Sequence, residues 1–172
     1  MKKQVFLLAF FTISNLLFSQ GNKIPLDTMV VTKHSIQIKG QALSYEATAG
    51  TQPVWDTNGE PIATLFYTYY KKSNSSPEKR PIIFSFNGGP GSASVWMHIA
   101  YTGPVLLNID DEGYPVQPYG VTDNPNAILD VADIVFVDPV NTGYSRMVEN
   151  KDGKLPDRKT FFGINADIKY LS

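Results

Sequence analysis

The segment PIIFSFNGGPGS, residues 81–92, joins an apolar run to a glycine-rich turn and the start of a helix. Residues 81–86 are short and nearly all apolar. That is the pattern of a strand covered on both faces, as in a parallel or mixed sheet. Asn87-Gly88-Gly89-Pro90-Gly91 follows at once. Its glycines let the main chain turn sharply and admit a close neighbour, and Pro90 fixes its own φ and lacks an N–H, which stiffens the turn. Ser92 is placed to cap a helix. Residues 94–101 then carry helical spacing, with Val95 and Ile99 on one face and Trp96 and Ala100 beside them. Gly103-Pro104 ends that helix. The expected product is a rigid loop with backbone N–H groups beside a helix N-terminus, a place that favours negative charge.

Two anions suit such a loop. A phosphate-binding loop needs a lysine after its glycines, and none follows here. The dinucleotide pattern G-x-G-x-x-G fails because Ser94 holds the third glycine position and Pro90 stands where a pyrophosphate must approach. The oxyanion of an acyl-transfer intermediate fits better. In α/β-hydrolases one oxyanion donor comes from the loop after the third strand, and one such donor is worth about 2.7–4 kcal/mol of transition-state stabilisation. The same residues would also serve as a tight turn with no ligand.

Upstream, residues 28–39 alternate and are rich in β-branched side chains, which predicts a strand. Gly40 punctuates, residues 42–47 form its hairpin partner, and residues 51–55 make a further strand. Asp56-Thr57-Asn58-Gly59 is a turn, and residues 62–70 complete an antiparallel meander. Residues 73–79 are a polar loop. Downstream, residues 105–109 and 114–116 suggest a hairpin around Asp111-Glu112-Gly113. Residues 124–130 read as loop and turn, and residues 134–137 (IVFV) as a second buried strand ending in Asp138-Pro139. A helix begins near residue 161 and continues to residue 171. No internal repeat or low-complexity tract interrupts the chain.

The composition is globular: 172 residues, 42% hydrophobic and 18% charged, with a formal net charge of −1. No basic excess points to nucleic acid. With no cysteine, disulfides, thiol nucleophiles and cysteine zinc sites are excluded. His34 and His98 are the only histidines, too few for a histidine-rich metal centre. Lys2 and Lys3 precede an almost unbroken apolar run over residues 5–18, and Ser19-Gln20-Gly21 breaks it. This is the form of a secretory signal peptide over residues 1–20, shorter than the roughly 20 apolar residues of a membrane span. Export without cysteines suits a periplasmic or secreted bacterial protein.

NGGPGSASVWMHIAYTGP (residues 87–104) resembles the substrate-binding segment of the serine carboxypeptidases, peptidase family S10. DVADIVFVDPVNTGYS (residues 130–145) resembles that family's strand and loop N-x-L-F-L-D-x-P-x-G-x-G-F-S, and FFGINADIKYLS (residues 161–172) its helix leading toward the nucleophile. The resemblance implies that residues 21–172 are the N-terminal part of an α/β-hydrolase domain. It implies that the Gly89 N–H is an oxyanion donor, that the Asn87 side chain binds the C-terminal carboxylate of a peptide, and that Gly88, Pro90 and Gly91 shape the loop. Asp138, Pro139, Gly143, Tyr144 and Ser145 match the loop that walls the site. No cofactor is implied. This chain departs from the family at Ser85, where Trp is common, at Ser92, where Cys is common, and at Tyr101, where a carboxylate-binding Glu is common. A phenol can still donate a hydrogen bond to a carboxylate.

The triad of this fold runs Ser, then Asp or Glu, then His, with the Ser in G-x-S-x-G. No such pentapeptide occurs; Gly143-Tyr144-Ser145-Arg146-Met147 lacks the last glycine, and both histidines precede Ser145. His98 therefore reads as a structural residue. The nucleophile, acid and base are expected beyond Ser172. The function expected is a secreted serine carboxypeptidase acting on peptides with a free C-terminus. Another acyl-transfer enzyme on the same fold, or a non-catalytic carboxylate-binding module, are the alternatives.

Overall fold

The computed structural model describes residues 25–76, 80–87 and 91–171. The leader expected over residues 1–20, and Gly88, Gly89 and Pro90 of the glycine-rich loop, lie outside the described residues.

The meander is present. Strand β1 (Thr28–Ile38) pairs antiparallel with β2 (Gln41–Trp55) from Thr28↔Thr51 to Ile38↔Gln41. Lys39 (φ 52°) and Gly40 (φ 77°) form the two-residue connection. Positive φ at both positions matches the right-handed twist of the flanking strands. The two strands expected at residues 42–47 and 51–55 are one continuous strand. Gly50, which lies between those two segments, sits opposite Tyr67 in β3 (Pro61–Lys72). A Cβ there would lie 2.7 Å from the Tyr67 phenol oxygen and 2.9 Å from the Thr28 carbonyl oxygen. The glycine marks a close approach inside the sheet, not its end. In the β2–β3 turn the Asp56 carboxylate accepts the N–H groups of Asn58 and Glu60 at 2.8 and 2.9 Å. The Glu60 N–H is the main reason its carboxyl is held below the usual value.

Strand β4 (Ile82–Ser85) and the later β7 (Asp133–Val137) pair in parallel, from Ile82↔Asp133 to Ser85↔Phe136. β7 also pairs antiparallel with Tyr67–Tyr70 of β3, so the sheet is mixed, in the order β1-β2-β3-β7-β4. The short β8 (Arg146–Met147) pairs with Ala63 and Thr64 of β3. One face of the sheet is covered. Ile36, Ile38, Leu43, Tyr45, Tyr70, Ile134 and Phe136 pack there with Ala127, Leu129 and Met97.

Several expectations are corrected. β4 is not covered on both faces: among the described strands it has β7 as its single neighbour, and Ile82 and Phe84 are 51% and 63% exposed. On that side Trp55, Tyr67, Tyr69, Phe84 and Val135 line an open apolar cleft of about 600 Å³. The helix expected over residues 94–101 winds more widely, as a π-helix over Met97–Thr102, closed by Gly103 N–H to His98 carbonyl at 3.0 Å. A Cβ on Gly103 would fall 2.1 Å from that carbonyl oxygen, so only glycine lets the wide turn close. Strand β5 (Val105–Leu107) pairs with β6 (Val121–Asp123). Residues 114–116 contribute an isolated bridge, Ile109↔Pro115, because Pro115 has no N–H with which to extend a ladder. The terminal helix α1 spans Ile164–Leu171. It starts after Gly163 (φ 124°), with Phe161 already buried below it. Among the described residues no helix is long and apolar enough to cross a membrane.

Candidate active site

Because β4 and β7 run parallel, the loops that follow them leave from the same end of the sheet. The carboxyl ends of adjacent parallel strands are where open α/β sheets bind ligands. One loop starts at Phe86 and leads through Asn87 toward Ser94; the other runs from Asp138 to Ser145.

The second loop is a hydrogen-bonded frame. Asp138 Oδ1 accepts the Ser94 N–H at 2.9 Å, and Oδ2 accepts the Tyr144 N–H at 3.2 Å. The Asp138 carbonyl accepts the Ser145 hydroxyl at 2.6 Å, and the same hydroxyl accepts the Phe66 N–H at 2.7 Å. Ser145 is fully buried. Thr142 closes the turn through its hydroxyl to the Pro139 carbonyl at 2.8 Å. Gly143 has φ 47°, and a Cβ there would lie 1.9 Å from Asp138 Oδ2, so its missing side chain makes room for the carboxylate. Tyr144 leans on Phe66, ring centroids 5.1 Å apart. Asp138, Gly143, Tyr144 and Ser145 thus do structural work. The frame holds the chain just ahead of the helix, where the Ser94 N–H goes to Asp138; the helix start itself has no side-chain cap, and the expected cap, Ser92, accepts a hydrogen bond from Asn87 Nδ2 at 2.8 Å.

Asn87 and Gly91 line a cleft of about 370 Å³ with Pro139, Thr142, Phe161 and Tyr170. The cleft lies between the two loops and α1. Asn87 is half-buried, and the bond to Ser92 orients its amide. Gly91 has φ 83°, and among the described residues no atom lies within 4 Å of where a Cβ would stand. Tyr170 packs edge-on against Phe161, and its hydroxyl donates to Asp167 at 2.9 Å. Burial first, then Asp167, pushes that phenol well above its ordinary pKa.

Tyr101 is 65% exposed and is not among the residues lining this cleft. Its carbonyl, with that of Gly103, is held by the buried Asn124 amide at 3.1 and 2.8 Å. Asn124 Oδ1 also accepts the Asn126 N–H at 3.0 Å. His98 is committed to packing. Its Nε2 and the Tyr70 hydroxyl are 2.6 Å apart, and its ring stacks on Phe136 with centroids 4.6 Å apart. Burial lowers its pKa, against the pull of Asp138. His34 stacks on Tyr45 in the first hairpin. Among the described residues no group of three His, Asp or Glu side chains is placed to hold a metal ion.

Sequence reasoning gave no role to Asn124 or to the Arg80–Asp133 pair (2.9 Å) that fixes the entry of β4. All three are single polar residues in loops or at strand ends, whose partners lie far off in sequence.

The family model described as serine carboxypeptidase matches residues 41–163. The pheromone-processing carboxypeptidase KEX1 of Saccharomyces cerevisiae is 30% identical over 109 residues, which cover 60% of this chain and 14% of that protein. Two Arabidopsis thaliana proteins are also similar. Serine carboxypeptidase-like 13 is 34% identical over 82 residues, 47% of this chain and 18% of that protein. Serine carboxypeptidase-like 31 is 28% identical over 104 residues, 60% of this chain and 19% of that protein. The chain thus spans less than a fifth of the length of these three relatives.

Proposed function

Since the chain belongs to the serine carboxypeptidase family, we propose that it supplies the oxyanion and carboxylate-binding part of an exported serine-type carboxypeptidase with an α/β-hydrolase fold. The observation that carries this reading is the convergence of two loops from the parallel β4–β7 pair on one cleft, with Asn87 on its wall. The leader-like pattern of residues 1–20 supports export.

In this reading a serine outside these 172 residues attacks the carbonyl of the last peptide bond. A histidine, also outside them, takes the serine proton and passes it to the leaving amine. The Gly89 N–H meets the oxygen that becomes negative in the tetrahedral intermediate. The Asn87 amide grips the terminal carboxylate of the peptide, and its bond to Ser92 sets the angle of the grip. Tyr101, at the position of the family's glutamate, adds a phenol donor on the solvent side. Both histidines in the chain are engaged elsewhere, His98 in the core and His34 in the first hairpin, so neither serves as the base.

The deciding assay gives the intact protein matched peptides with a free or an amidated C-terminus. Faster release of the terminal residue from the free acid is expected. Equal rates on both would move the assignment to another acyl-transfer enzyme, such as an esterase or acyltransferase. Binding of the free acid without turnover would make the loop a carboxylate-binding module.

A further inference from the structure

The segment between β4 and the π-helix is tied at both ends. At its start, Ser85 is the last residue of β4, and its carbonyl accepts the Ser94 hydroxyl at 3.5 Å. The same hydroxyl donates to the carbonyl of Val137, the last residue of β7. At its far end the Ser94 N–H is held by Asp138 Oδ1. Ser94 is 2% exposed, so these bonds are sheltered from water and gain strength from the low local dielectric. The carboxylate that makes the N–H bond is itself held from the other side: Oδ2 accepts the Tyr144 N–H, and Gly143 leaves it the space it occupies.

A carboxylate with its two oxygens on two different backbone amides is a stiff bridge, because charge-assisted bonds are about twice as strong as neutral ones. It fixes the exit of the first loop to the body of the second. We infer that Asp138 is a positioning residue of the active site: its carboxylate, seated against Gly143, sets where the chain carrying Asn87 and Gly91 stands relative to the cleft. This rests on the function proposed above. Asp138 touches neither substrate nor the reacting atoms. It acts through Ser94, and because the chain it positions carries Asn87, which grips the substrate in ground and transition state alike, its effect belongs on kcat/KM per competent site.

The test uses the intact enzyme and two substitutions that disturb the bridge from opposite sides. Asp138→Asn replaces one acceptor oxygen with a donor that faces an N–H. Gly143→Ala drives a methyl group toward Oδ2 and displaces the carboxylate without altering its charge. Competent sites are counted with a serine-reactive fluorophosphonate, so that kcat/KM is expressed per correctly folded site. Each variant is expected to lose about 100-fold in kcat/KM per titrated site, the scale of a 1 Å misplacement. A purely structural role predicts fewer titratable sites with unchanged kcat/KM per site, and that result overturns the inference. If neither variant yields titratable sites, amide exchange on the wild-type enzyme decides. The Ser94 and Tyr144 amides should exchange as slowly as the β7 strand, and rapid exchange at Ser94 would refute the bridge. Absence of any peptidase activity in the wild-type enzyme would instead count against the proposed function and leave the exchange measurement to judge the bridge.

Discussion

Arg80 and Asp133 form a sheltered ion pair at the entrance to the parallel strands, with Nε 2.9 Å from Oδ1 and side chains only 11% and 3% exposed. The pair is well supported. Arg80 Nη2 donates to the Leu129 carbonyl at 2.9 Å, and Asp133 Oδ1 also accepts the Lys72 N–H at 3.1 Å. The bond from the Asp133 N–H to the Pro81 carbonyl at 3.0 Å starts the β4–β7 ladder beside it. The ion pair therefore sits where the chain chooses between joining β7 and running free.

Removing one partner leaves a charge buried without compensation. Asp133→Ala is expected to destabilise the protein by about 3–5 kcal/mol, read as a shift of the denaturant midpoint. The double change Arg80→Met with Asp133→Leu should recover most of that loss. A double variant no more stable than Asp133→Ala would show that the pair's hydrogen bonds, not its charge balance, hold the strand.

His98 should make stability depend on pH. Burial lowers its pKa in the folded chain, so as pH falls through about 6.5 the unfolded chain binds a proton first. Stability is then complete above that value and declines as pH drops toward the depressed folded pKa, by at most about 1.4 kcal/mol per pH unit. His98→Gln should flatten this part of the curve. An unchanged slope in the variant would place the pH dependence elsewhere.

Gly50→Val tests the close approach of β2 and β3. The added Cβ would meet the Tyr67 phenol and the Thr28 carbonyl. Valine suits strands in general, yet a loss of about 1–3 kcal/mol is expected from overpacking. Pairing the change with Tyr67→Phe should return part of the loss by removing the nearest atom.

Asn87 and Tyr101 should differ in their weight on substrate. A hydrogen bond to a charged group is worth about 1.5–3 kcal/mol, so Asn87→Ala should lower kcat/KM for free-acid peptides at least tenfold. Tyr101 is 65% exposed, where water competes for the phenol, and Tyr101→Phe should change kcat/KM by less than about threefold. Neither change should matter for amidated peptides. A larger effect at Tyr101 than at Asn87 would reverse their assigned roles.

The strands with dense β-branched or aromatic sequence, β1, β3 and β7, are legible because alternation and propensity agree there. So are the strand and the helix on either side of the glycine-rich segment, since glycines and prolines mark their ends. Other features depend on partners far along the chain. The continuity of β2 through Gly50 shows only once Tyr67 is placed over it. The wide turn of the π-helix depends on His98 and Gly103 meeting at 3.0 Å, which spacing alone does not reveal. β6 is three residues long and carries too little pattern to be seen. The mutual lock of Asp138 and Gly143 is a contact in space, a Cβ position only 1.9 Å from Oδ2, whereas the short motif containing them is plain in the sequence.

The order of strands has a kinetic consequence. β1, β2 and β3 meet through tight turns and can assemble soon after synthesis, whereas β4 must wait for β7, about fifty residues later, before it gains a neighbour. Contacts of long sequence separation carry the larger loop-closure penalty and form late. During refolding from denaturant, the sheet signal should therefore recover ahead of the ability to bind a free-acid peptide, and the lag between the two should lengthen in Asp133→Ala. The cleft then matures after the meander, because both of its loops hang from a strand pair that closes only once the chain has returned across the sheet.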